Sequence, residues 1–137
     1  MEPWLIKAIE YFPELKKYYV NLNNPSQAYL EDAFELWIDL EGWFYKSVEE
    51  GDAEFQKRVI AFLNYCMSGT LGDSSSQIQQ AIFCGFLPSI GMRESVWQSI
   101  PTWFTDNEFQ KYKSEICYLL DENKKLQLLE IYDKFKA

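Results

Sequence analysis

The 137-residue chain contains no histidine. That absence removes the Ser-His-Asp and Cys-His nucleophile arrangements and most zinc sites. It also removes the Glu-x-x-His pairs on which di-iron helical bundles are built. Neither GxxxxGK[ST] nor GxGxxG occurs, so no phosphate-binding loop is offered. Cysteine is scarce: Cys66, Cys84 and Cys117 are odd in number, widely spaced and without a CxxC pair. Neither a disulfide framework nor a zinc ribbon fits them, and each lies in an apolar helical pattern, which predicts three buried thiols. No apolar run approaches the ~20 residues of a membrane span. The opening MEPWLIKAIE lacks the basic n-region of a signal peptide, so a cytoplasmic protein is expected. Catalysis, metals and cofactors are not expected.

What the chain does have is hydrophobic bulk. Apolar residues make up 47% and aromatics 18%, too much for disorder. The length suits one domain spanning residues 1–137. No stretch alternates with period 2 between turn signals, so strands are not expected. The fold class is therefore all-α: a single-domain helical bundle of about six to seven helices, with an α-solenoid as the minor alternative. Pro3 marks a helix start, and Pro13 breaks the first helical stretch in two. Gly51 and Asp52 read as helix end and next N-cap. Ser74 with Gln77 and Thr105 with Glu108 match capping boxes, and Asp121 suits a last cap. Pro88 to Gly91 reads as a break.

The chain is organised around residues 27–54, with a central helix at about 27–50. Between 31 and 54 stand nine acids and one base, Lys46, a net −8 equal to that of the whole chain. At about 100° per residue, Glu31, Asp32, Glu35, Asp39, Glu49 and Glu50 fall in one narrow sector. The apolar residues, Phe34, Leu36, Trp37, Ile38, Leu40, Phe44 and Tyr45 among them, fill the remainder. Such a helix needs walls on several sides and leaves only an acidic stripe to water. Glu41 falls on the apolar side and needs a partner, a rim position or a raised pKa. Gly42 falls on the acidic side, where a close approach by a partner or neighbour, or a plain helix defect, would account for it. A solvated face explains the stripe as charge for solubility. Against that, Glu31, Glu35 and Asp39 repel at i,i+4 spacing with no interspersed base, an arrangement suited to a basic partner. Glu31, Asp32, Glu35, Asp39, Glu49, Glu50 and Asp52, with Tyr45 as an aromatic anchor, are the candidate partner-binding residues. The acidity argues against direct binding of nucleic acid or an anionic membrane.

Residues 71–88, LGDSSSQIQQAIFCGFLP, carry Ile78-Gln79, Ile82 and Gly85-Phe86-Leu87 in a spacing similar to a group of small all-helical bacterial proteins. Pro88 stands where that group has Glu. The similarity covers about residues 27–90, and its motif describes packing, with Gly85 allowing close helix contact and Phe86 and Leu87 filling core. Members of the group resemble immunity proteins of contact-dependent inhibition and other polymorphic toxin systems. The resemblance implies that the chain binds and neutralises a cognate basic toxin domain, a nuclease in many such systems. The alternative expectation is a helical adaptor or regulatory protein using an aromatic surface at Trp97, Trp103 and Phe104, although these residues around Pro101 read more readily as a plug for the end of the bundle.

Overall fold

The computed structural model describes residues 2–20, 32–72 and 75–136. Among these residues the fold is all-α, with no strand. Contacts divide the chain into two compact units, Met1–Ile82 and Phe83–Ala137.

The first unit opens with α1 (Pro3–Tyr11), a 3-10 turn (Pro13–Leu15) and α2 (Lys16–Tyr19), the split that Pro13 dictates. Then come α3 (Ala33–Glu50), α4 (Ala53–Met67) and α5 (Ser75–Ala81). The central helix thus starts at Ala33, later than the expected 27. Asp32 is its N-cap, and its Oδ1 accepts the Glu35 backbone N–H at 2.9 Å, satisfying a free donor of the first turn. At the other end Gly51 takes φ 73°, and Asp52 caps α4 by accepting from Phe55 N at 3.1 Å. The Ser74 capping box lies outside the described residues.

The packing centre of this unit is the seam Leu36, Trp37, Leu40 and Phe44, set against α4 and α5. Trp37 stacks on Phe62 at 5.7 Å, and Phe12 meets Phe62 edge-on at 5.8 Å. Each such side chain contributes about 1.5–3 kcal/mol when taken out of water. Arg58 fastens the periphery, donating to Tyr11 O at 3.2 Å and to Glu14 Oε1 at 2.7 Å.

The expected break at Pro88 is instead continued helix. A π-turn (Ile82–Phe86) runs into α6 (Leu87–Gly91), with Pro88 in the first turn, where a missing N–H costs little. Phe86 and Leu87 are fully buried, as expected. Gly85 does not serve close packing: a Cβ there would meet nothing within 4 Å. The glycine that does is Gly91, whose added Cβ would lie 1.9 Å from the Ile116 carbonyl oxygen.

The second unit continues through a 3-10 helix (Glu94–Ser99), α7 (Ile100–Trp103), α8 (Asp106–Ile116) and α9 (Glu122–Phe135). The Thr105–Glu108 capping box forms in full, with bonds of 2.8 and 3.2 Å, and Asp121 caps α9. Phe109 stacks on Tyr132 at 3.8 Å, and Tyr132 donates to Asp106 at 3.0 Å. Trp97, buried in this unit, donates its indole N–H to Gly91 O at 3.0 Å.

Of the three thiols, Cys66 and Cys117 are buried as expected, but Cys84 is exposed. Its apolar neighbours suggested burial, but at 100° per residue it falls off the face that Ile78, Ala81 and Ile82 bury. Burial pushes the Cys66 thiol up to about 12 and raises Cys117 as well. In the folded chain at pH 8, Cys84 should therefore react with an alkylating reagent far faster than the other two, which become reactive on denaturation. Peptide mass mapping checks this; equal rates in the native state would contradict the burial pattern. Gly91→Ala should cost about 3 kcal/mol or more, the upper end of overpacking penalties, because a backbone carbonyl cannot step aside. An unchanged urea midpoint would show that α6 and α8 do not approach so closely.

Candidate functional site

Burying Leu36, Trp37, Leu40 and Phe44 fixes the rotation of α3, and the opposite face follows from the 100° step. Phe34, Glu35, Ile38, Asp39, Gly42, Lys46, Glu49 and Glu50 are all exposed. Rising 1.5 Å per residue, the face carries its acids over about 21 Å from Glu35 to Glu49. Lys46 is its one base, and it reaches Glu50 only at 4.0 Å, with both side chains largely in water. Such a pair contributes little.

The stripe is not purely acidic. Phe34 is 39% and Ile38 68% exposed, although their place on the wheel predicted burial. The wheel gives their angle, at the edge of the acidic sector, but not whether a neighbour covers that edge. Gly42 lies beside them, and a Cβ added there would meet nothing within 4 Å. No neighbour among the described residues accounts for a glycine that costs about 1 kcal/mol inside a helix.

The candidate residues divide by task. Glu35, Glu49 and Glu50 stand out from the helix into water. Asp32 is half-buried and, like Asp52, spends a carboxylate oxygen on capping. Asp39 accepts the Tyr19 hydroxyl at 2.9 Å, tying α2 to the flank of α3. Tyr19 is buried, and desolvation together with this bond holds its hydroxyl well above the usual phenol range. Tyr45 is no surface anchor: at 6% exposure it faces inward, edge-on to Phe44 at 5.4 Å. Glu41 is half-buried, a rim position. Glu31 lies outside the described residues.

On the α2 side of the face, Tyr18 and Trp43 approach to 5.9 Å. With Leu15 and Phe55 they line a groove of about 280 Å³ rimmed by Lys46 and Glu50. The aromatic cluster of the adaptor expectation offers no comparable surface. Trp97, Trp103 and Phe104 are 7% exposed or less, because the segments around Pro101 fold inward as short helices.

No group of three or more His, Cys, Asp or Glu side chains among the described residues is placed to hold a metal ion. No helix among them is long and apolar enough to cross a membrane. Comparison with family models, with characterised proteins and with solved structures gives no match.

The double role of Asp39 has a measurable signature. Asp39→Ala should cost about 1–3 kcal/mol by stranding the buried Tyr19 hydroxyl, and much less when made in a Tyr19→Phe chain. Glu35→Ala should stay within about 0.5 kcal/mol. Strictly additive costs at Asp39 and Tyr19 in urea unfolding would contradict the bond.

Proposed function

We propose that the chain acts by binding, without catalysis, and that the outward face of α3 docks on a basic protein. Following the resemblance in residues 27–90, the partner is a toxin domain that this contact neutralises, as an immunity protein does. The observation that carries the reading is the composition of that face. Two large exposed apolar side chains, Phe34 and Ile38, lie beside Glu35, Asp39, Glu49 and Glu50. A face serving solubility alone has no use for Phe34 and Ile38 in water, whereas an interface uses apolar residues for affinity and charges for encounter and register. Gly42 adds to this: a missing side chain in the middle of the face lets a partner approach the helix backbone closely.

Gly42→Ala separates the two uses of the face. In the free protein it should raise stability by about 0.5–1 kcal/mol, since alanine is the better helix former. It should at the same time reduce capture of the partner by filling the step. Capture from the source cell on the tagged chain, at low and then moderate salt, is expected to yield one basic protein released by salt. The yield should fall for Gly42→Ala and for Glu35→Lys combined with Glu49→Lys, charges chosen because neither side chain supports the fold. A partner that is acidic or salt-resistant, or held equally by all three chains, would overturn the reading.

A further inference from the structure

The second unit holds a cavity that the α3 reading does not use. It has a volume of about 340 Å³ and is lined by Phe83, Cys84, Pro88, Glu115, Tyr118 and Leu119. Its walls are mostly apolar, and Glu115 is the one charged group among its lining residues. Glu115 is half-buried; among the described residues no cation lies within ion-pairing distance of it, and its Oε2 is shielded without a hydrogen-bond partner. A shielded carboxylate oxygen lacking a donor is unfavourable in the free protein. The neighbouring Tyr118 and Leu119 are 78% and 58% exposed, so the mouth of the cavity is apolar as well.

We propose that this cavity is a small-molecule site for an organic ammonium with a compact apolar body. The volume lies within the usual range of small-ligand pockets, which begins at about 300 Å³. Phe83, Pro88 and Leu119 supply the surface against which an apolar body loses water. Glu115 supplies the charged contact that fixes orientation, and its terminal torsion is soft enough to turn either oxygen toward the cavity. An ammonium group donates up to three hydrogen bonds and carries the charge the site lacks. A neutral or anionic ligand of the same shape leaves Glu115 uncompensated. The site takes a free amine, since the cavity admits one small group.

Cys84, at the rim, is the reporter. The exposed thiol is alkylated with iodoacetamide in the intact protein, with 2-phenylethylamine as probe and 2-phenylethanol as its neutral counterpart. The amine should slow modification of Cys84, roughly tenfold at a concentration about nine times its dissociation constant. The alcohol should slow it far less, and Glu115→Gln should remove the difference between the two. No slowing by the amine, or equal slowing by amine and alcohol on the wild-type chain, overturns the proposal. The contrast on the wild-type chain decides even where Glu115→Gln is poorly folded. Because the probes act in the second unit, their failure leaves the α3 reading untouched.

Discussion

Everything on the outer face of α3 depends on how its inner seam is buried. Leu36, Trp37, Leu40 and Phe44 are 2% exposed or less, with α4 and α5 packed against the helix. A rigid helix has one rotational setting that buries such a seam, and turning it would return several kcal/mol of apolar surface to water. With that setting fixed, Phe34, Ile38 and the acids beside them face away from the seam and stand in solvent. The acids there are cheap to expose; Ile38 and Phe34 are not, and their exposure is a cost that folding alone does not recover. The same holds for Gly42, which weakens the helix where no neighbour among the described residues packs against it.

The negative charge is less uniform than a count suggests. Asp32 and Asp52 close helix starts, and Asp39 holds the Tyr19 hydroxyl. These three carboxylates stabilise the first unit and would do so with no partner. Glu35, Glu49 and Glu50 cap no helix start and hold no buried hydroxyl, and they stand exposed on the same helix as the apolar pair. Charge for encounter and charge for folding thus occupy the same helix on different residues. A mutational reading of the stripe that ignores this division would mistake unfolding for loss of binding.

Local chemistry is the part legible in the sequence. The caps at Asp52, Thr105 and Asp121, the Gly51 terminus and the Pro13 split each follow from one or two residues, because a cap satisfies donors within its own turn. The helical period also placed the buried seam and the outward acids of α3. What the period leaves open is coverage. A wheel places Ile38 and Tyr45 at adjacent angles, yet one stands in water and the other is buried, because neighbours from elsewhere in the chain decide. Asp32, an efficient cap inside the acidic run, opens α3 at Ala33, and residues 27–31 of the expected helix lie outside the described residues. Cys84 has apolar neighbours in Phe83 and Phe86, but it lies off the face that Ile78, Ala81 and Ile82 bury. Trp97, Trp103 and Phe104 are buried around Pro101, as the bundle-plugging reading of that cluster has them.

The most direct test of the central claim is carboxylate footprinting of the chain, free and with its captured partner, using carbodiimide coupling of a small amine and mass mapping. Glu35, Glu49 and Glu50 should lose most of their labelling in the complex. The exposed Glu94 and Glu122 of the second unit should label as in the free chain. Protection centred on Glu94 and Glu122, with Glu35 and Glu49 still open, would place the partner elsewhere and contradict the assignment of the α3 face.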